Sequence, residues 1–397
     1  MVDDLRNLAD WALLLTVVWA QWHIGAKTVA FAAGRRPWFR HLIHVSLAAV
    51  YLWLLAGVAL QIHPVVRVFE PNAWLRGAVG GSAFLWMFAT TGAYLAHEIW
   101  AFLFNRSRMS TFDPERRKLV NAAGGLAVAA PFALTGFGGL IERTDFRIRE
   151  MDLPVSNLPP DLQGLRILQL SDIHMGPFLT ERDMARVIDE SINLRPHLAV
   201  MTGDLISMLG DPLDACLRQI ARLRADAGIL GCLGNHEQFT GVEDYTAVEG
   251  ARIGIDFLRG RARLLKFGSA TLNVAGVDYE SISNRKRYLT GVERLAAPGA
   301  VNLLLSHNPD VFPVSARKGF DVTLAGHTHG GQVTVEILHQ TVNVARFITP
   351  FVSGYYRLSQ PAGDAASLYV TRGIGTIGLP IRIGAPPEIS LLRLTRA

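Results

Sequence analysis

Three stretches of the chain are long, apolar and empty of charge. Leu42–Ile62, Gly77–Ala96 and Leu119–Ile141 contain no Asp, Glu, Lys or Arg. Each reaches the roughly 20 residues that a helix needs to cross a hydrocarbon core. Apolar character in the second runs past His97 and Glu98 to Phe104. A fourth stretch, Trp11–Ala33, begins strongly apolar but is interrupted by Gln21, His23 and Lys27. Helices of a soluble bundle keep a polar face at a period of 3.6 residues, which these segments lack. Composition agrees: 18% of residues are charged, and a soluble enzyme usually carries about a quarter. Residues 1–141 are therefore expected to form an α-helical transmembrane region of three to four helices, at 11–33, 42–62, 77–104 and 119–141.

Loop charge orients these spans. Arg35, Arg36 and Arg40 lie in one loop, and Arg106, Arg108, Arg116, Arg117 and Lys118 in another. The loop between the second and third stretches holds only Arg67 and Arg76. The positive-inside rule places the two arginine-rich loops in the cytoplasm, so the C-terminal part is expected on the outer or periplasmic face. The net charge of +5 sits largely in such short runs between apolar segments, which suits membrane loops better than nucleic acid. Asp3 and Asp4 precede Arg6, so the start does not read as a cleavable signal peptide. Residues 142–164, with Pro154, Pro159 and Pro160, read as a connector.

From Leu165 the texture changes to short apolar runs followed by helical patterns, the signature of an α/β domain with buried strands. Five apolar runs end in polar clusters: Asp172-Ile173-His174, Gly203-Asp204, Gly234-Asn235-His236-Glu237, Ser306-His307 and Gly326-His327-Thr328-His329. Loops beyond the carboxyl ends of strands converge in α/β sheets, so these clusters can meet. Imidazole with carboxylate, and no cysteine, suits divalent ions of the Mn, Fe, Zn or Ni class. The donors are too many for one ion. Two ions about 3.5–4 Å apart would activate a water between them and neutralise phosphoryl oxygens during in-line attack. Cys216 and Cys232 lie in apolar runs and read as buried core thiols.

The same blocks resemble the calcineurin-like metallophosphoesterase superfamily, whose signature runs D-x-H, G-D, G-N-H-D/E, a later H, then G-H-x-H. The resemblance extends to Gly330-Gly331-Gln332, Ser306-His307-Asn308-Pro309-Asp310, Arg372-Gly373-Ile374-Gly375 and Pro386-Pro387-Glu388. These are similar to the membrane-associated bacterial branch that includes UDP-2,3-diacylglucosamine pyrophosphatase-like enzymes. The resemblance covers about 165–394 and implies a four-layer α/β sandwich, two mixed β-sheets flanked by helices, over 165–397. It implies that Asp172, His174 and His329 hold one metal, that Asp204 bridges, and that Asn235, His307 and His327 hold the second. It implies His236 as the acid that protonates the leaving group, with Glu237 supporting from behind. Where relatives often show a second Asp, this chain has Tyr279 after Asp278. Arg372 and Arg382 are candidates for phosphate contact. A phosphohydrolase in a bacterial cytoplasmic membrane, acting on a phosphomonoester, phosphodiester or pyrophosphate that can be lipid-linked, is the expected function. A receptor or assembly protein that uses the fold only for binding has no need of a complete ligand set together with the non-ligand His236.

Overall fold

The computed structural model describes residues 2–60, 73–104, 113–337, 340–359 and 365–397. The chain divides into two compact units, Met1–Ile141 with Gly378–Ile381, and Glu142–Ile377 with Arg382–Ala397. The first unit is helical: α1 (Val2–Ala33), α2 (Pro37–Ala59), α3 (Ser82–Leu103) and α4 (Pro114–Leu140). Proline opens α2 and α4, where its missing N–H removes a donor that no helical partner would take. At α4 the Asp113 side chain also caps the Arg116 amide. The glycine-rich run before α3 forms a π-helical turn, Arg76–Gly81.

Among the described residues, two helices are long and apolar enough to cross a membrane: Pro37–Ala59, and the one from Pro114, which continues to Thr144. They cover the stretches expected at 42–62 and 119–141, up to residue 60 in the first case. The stretches at 11–33 and 77–104 fall on α1, the π-helical turn and α3, which carry polar groups that meet each other. Lys27 Nζ lies 2.5 Å from Glu98 Oε1, and Gln21 donates to Thr90 Oγ1 at 2.9 Å. Arg67, Arg106 and Arg108, used above to orient the spans, lie outside the described residues.

The second unit is built on strands β1 (Arg147–Val155), β2 (Arg166–Leu170), β3 (Leu198–Thr202), β4 (Ile229–Cys232), β5 (Ile255–Phe257), β6 (Arg261–Phe267), β7 (Ala270–Gly276), β8 (Val301–Leu305), β9 (Val322–Ala325), β10 (Thr334–Ile337), β11 (Gln340–Asn343), β12 (Gly354–Ser359), β13 (Ala365–Val370) and β14 (Glu388–Arg396). Two six-stranded mixed sheets result, ordered β1-β14-β2-β3-β4-β5 and β12-β13-β9-β8-β7-β6, while β10 and β11 pair separately. Helices α5 (Glu181–Asn193), α6 (Leu213–Ile220), α7 (Asn235–Thr240), α8 (Glu243–Arg252) and α9 (Phe312–Arg317) complete the unit. This is the two-sheet sandwich with flanking helices that the sequence led us to expect. Part of the expected connector is structured, because β1 pairs in parallel with β14 from Arg147↔Glu388 to Val155↔Arg396.

The period of two along each strand sorts side chains between layers. In β2, Ile167 enters the core between the sheets with Val200, Leu230, Leu303 and Leu324. Its neighbour Leu168 faces the other way and packs with Met184, Val187, Ile188 and Leu217 of α5 and α6. Full burial of each such aliphatic side chain contributes about 1.5–3 kcal/mol. The Thr180–Asp183 capping box fixes the start of α5. Cys216 and Cys232 are free thiols buried in these cores.

Candidate metal centre

Strands β2, β3 and β4 run parallel in one sheet, and β8 and β9 run parallel in the other. All five polar clusters therefore leave from carboxyl ends. Asp172 and His174 follow β2, Asp204 follows β3, Asn235 and His236 open α7 after β4, His307 follows β8, and His327 and His329 follow β9. The structure brings seven of these together, Asp172, His174, Asp204, His236, His307, His327 and His329, and Asn235 is buried beside His236 at the start of α7. Potential ligand atoms of Asp172, His174 and His329 lie within 4.8 Å of one another, as do those of His174, Asp204 and His236, and those of Asp204, His307 and His327. Asp204 and His174 each belong to two of these groups.

The backbone at the cluster is strained. Asp172, His174, Asp204, His327 and His329 all have positive φ, between 48° and 73°. Non-glycine residues pay a steric cost there, so such conformations persist only where surrounding structure enforces them. Two glycines show the enforcement. A Cβ on Gly326 would overlap Ser171 Oγ and Asp172 Oδ2, and one on Gly234 would overlap Asp204 Oδ1. Only a bare Cα lets these strand exits approach the carboxylates so closely.

Each side chain is oriented by a second contact. His307 donates from Nδ1 to the Thr202 carbonyl at 2.6 Å, and its Nε2 lies 3.0 Å from Asp204 Oδ2. His327 Nδ1 is 3.2 Å from that same His307 Nε2. His329 Nε2 is 3.3 Å from Asp172 Oδ1, while both Asp172 oxygens accept from the His327 amide. Ser207 serves two imidazoles: its hydroxyl meets His174 Nδ1 at 3.0 Å, and its carbonyl accepts from His236 Nδ1 at 2.7 Å. Asp211 in turn accepts from the amides of Ser207 and Met208. The fully buried Glu237 accepts from the amides of Asp204, Leu205 and Gly234. It thus shapes the loop that presents Asp204 rather than touching His236.

Burial and mutual proximity displace the ionisations. Burial, reinforced by Asp204 and opposed by His307, pushes the Asp172 carboxyl up to about 6. Burial, then His236, pushes His174 down to about 3. Burial would also lower His307, but Asp204 and Asp172 outweigh it and raise that imidazole to about 10. For Asp204, burial alone would raise the carboxyl, yet His307 and His236 hold it well below its usual range. Opposed displacements of contacting groups are common where charge is handled.

The donor set fits divalent cations. His174 Nε2 and Asn235 Oδ1 are buried and make no hydrogen bond. A buried acceptor without a donor costs about 1–3 kcal/mol. His174 Nε2 lies in the His and Asp cluster and Asn235 adjoins His236 of the same cluster, so a bound cation would satisfy both atoms. Orientation of metal-ligating imidazoles through the other ring nitrogen, as in His307 and His174, is the usual arrangement in metal sites.

Sequence reasoning did not anticipate the parts played by Ser207, Asp211 and Arg382. The Arg382 guanidinium is fully buried and donates to the carbonyls of Gly375, Ala385 and Arg372, so it is not free for a phosphate. Asp278 pairs with Arg259, and the Tyr279 ring lies 5.4 Å from that of His327.

Comparison with known proteins identifies the class. Residues 165–331 match the family model for calcineurin-like phosphoesterase. A transmembrane protein with metallophosphoesterase domain from Bos taurus is 24% identical over 98% of this chain and 81% of its own length. An uncharacterized metallophosphoesterase of Bacillus subtilis is 28% identical over 70% of this chain and 96% of its own. Another, from Campylobacter jejuni, is 28% identical over 62% of this chain, which spans 63% of that protein. Residues 165–331 are thus similar to a calcineurin-like phosphoesterase domain. The chain is a metal-dependent phosphoesterase, a hydrolase of phosphate esters.

Proposed function

We propose that this chain is a membrane-anchored phosphohydrolase that works with two divalent ions. Asp172, His174 and His329 would hold one ion, Asn235, His307 and His327 the other, and Asp204 both. The observation that carries this reading is the overlap of the ligand groups, joined through His174 and Asp204. Bound there, the ions supply the Lewis acidity that activates water and neutralises phosphoryl oxygens. The chain's own residues do the rest. Asp204 and Asp172 set the negative field, with Asp204 held in place from behind by Glu237. His236 is half-buried at the edge of the cluster, with Nδ1–H committed to Ser207, so Nε2 is the nitrogen that carries a proton to the leaving oxygen.

Anchoring is supported by the two long apolar helices and by the membrane-protein relative that matches across 98% of the chain. The membrane would be a bacterial cytoplasmic one with the domain on its outer face, and the substrate a phosphodiester, phosphomonoester or pyrophosphate, lipid-linked or soluble. The narrower likeness to UDP-2,3-diacylglucosamine pyrophosphatases belongs to the same reading. Purified, manganese-loaded protein should hydrolyse at least one member of a panel of mono-, di- and pyrophosphates that includes lipid-linked ones. Failure on every member with metal bound would sink the catalytic reading. A reporter active only in the cytoplasm, fused after Ala397, should stay silent, and activity there would reverse the topology.

A further inference from the structure

The motifs around 372–375 and 386–388 play no direct part in the chemistry above, yet they sit directly against one half of it. The amides of Ile374 and Gly375 donate to the carbonyls of Ser171 and Asp172, at 3.0 Å and 2.7 Å. Gly373, with φ of 70°, has its Cα so close to Asp172 that an added Cβ would stand 2.5 Å from the Asp172 Cβ. The strained loop bearing Asp172 and His174 is thus braced by an irregular stretch some 200 positions later in sequence.

Arg382 ties that brace to the other strained loop. Its Nε donates to the Gly375 carbonyl at 3.0 Å, Nη1 to Ala385 at 2.9 Å, and Nη2 to Arg372 at 2.9 Å. Nη1 also reaches the His329 carbonyl at 3.4 Å, and Nη2 lies 3.5 Å from His329 Nδ1. The side chain is wholly buried. Burying a guanidinium is costly unless its donors are satisfied, and here backbone carbonyls satisfy them. A planar fork of five donors can serve several carbonyls at fixed angles, whereas an ammonium offers three from one point.

We infer that Arg382 is a positioning residue for the half-site of Asp172, His174 and His329. It locks the His329 loop to the stretch 372–375, which in turn locks the Asp172 loop, so that both loops keep their positive φ. The inference rests on the two-ion reading above. Among the described hydrogen bonds, those of Arg382 and of residues 372–375 reach Ser171, Asp172 and His329, the loops of this half-site.

The test compares full-length protein with Arg382→Lys, Arg382→Met and Glu388→Gln. Glu388 is a fair control. It is buried at the start of β14, where its side chain accepts from Tyr369 and Ser390 and lies 3.6 Å from Arg149 and 3.9 Å from Arg372. Its substitution by Gln leaves the hydrogen bond from its amide to the Gly373 carbonyl in place, and it touches no proposed ligand. Each protein is loaded with manganese, and its content per chain and its electron paramagnetic resonance spectrum are recorded. Wild type and Glu388→Gln should hold two coupled ions. Both Arg382 variants should bind one ion roughly 10–100-fold more weakly, the usual effect of losing a residue that orients ligands, and show an uncoupled signal. Two coupled ions in the Arg382 variants, or equal loss in Glu388→Gln, overturns the inference. Metal-free wild type instead overturns the two-ion reading. Should the Arg382 variants fail to fold, hydrogen exchange on wild type decides. Manganese should slow exchange at the amides of Ile374 and Gly375, and no change there counts against the brace.

Discussion

In the helical unit, polar side chains answer one another: Gln21 donates to Thr90, Tyr51 to the Gln21 carbonyl, and Lys27 meets Glu98. At the strand ends of the sandwich the pattern is different. Asp172, Asp204 and the imidazoles around them lie close to one another, and His174 Nε2 and Asn235 Oδ1 have no hydrogen-bond partner among the described residues. The backbone there is also strained at five of the ligand positions. Polar groups that close on each other hold a fold together, which is a sufficient account of them. Polar groups that converge without closing need something from outside, and the strain that holds them has to be enforced by neighbours.

Substitutions can break this contrast. The largest effect is expected for Asp204→Asn, which removes the carboxylate common to both half-sites. Turnover of a bis-aryl phosphate should fall to background, and unchanged turnover would show that the site is misassigned. His236→Ala should lower kcat by about 10²–10⁴-fold, the range for a lost general acid, while metal content stays at the wild-type value. A variant that also loses metal would make His236 a ligand instead. Gly326→Ala should cost about 1–3 kcal/mol of stability, as overpacking does, and weaken metal binding because Ser171 and Asp172 must move. A thermal melt and a manganese titration read both. The smallest effect belongs to the helical unit. Gln21→Leu should cost about 0.6 kcal/mol, typical of a hydrogen bond between membrane helices, with turnover unchanged. A fall in turnover there would erase the distinction drawn between the units.

Much of the site was legible before the structure because its residues follow apolar runs in a fixed order, and the geometry of parallel strands brings such positions together. Arg382 was read instead as a possible phosphate contact. Its partners are backbone carbonyls, one of them 53 positions away, and no side-chain pattern marks a carbonyl. Ser207 was silent for the same reason, since its carbonyl orients His236. Residues 142–164 read as a connector because their charges and Pro154, Pro159 and Pro160 disfavour continued helix, and β1 lies within them. That strand is at the edge of its sheet, where a missing N–H is tolerated, so Pro154 does not forbid it. In the helical unit, Gln21 and Lys27 marked 11–33 as unusual, but their partners Thr90 and Glu98 lie about 70 positions on.

The central claim is that Asp204 joins two ions. Crystals of the manganese-loaded protein, measured at the manganese absorption edge, test it directly. Two anomalous peaks about 3.5–4 Å apart with Asp204 between them are expected. A single peak, or two that do not share Asp204, would contradict it.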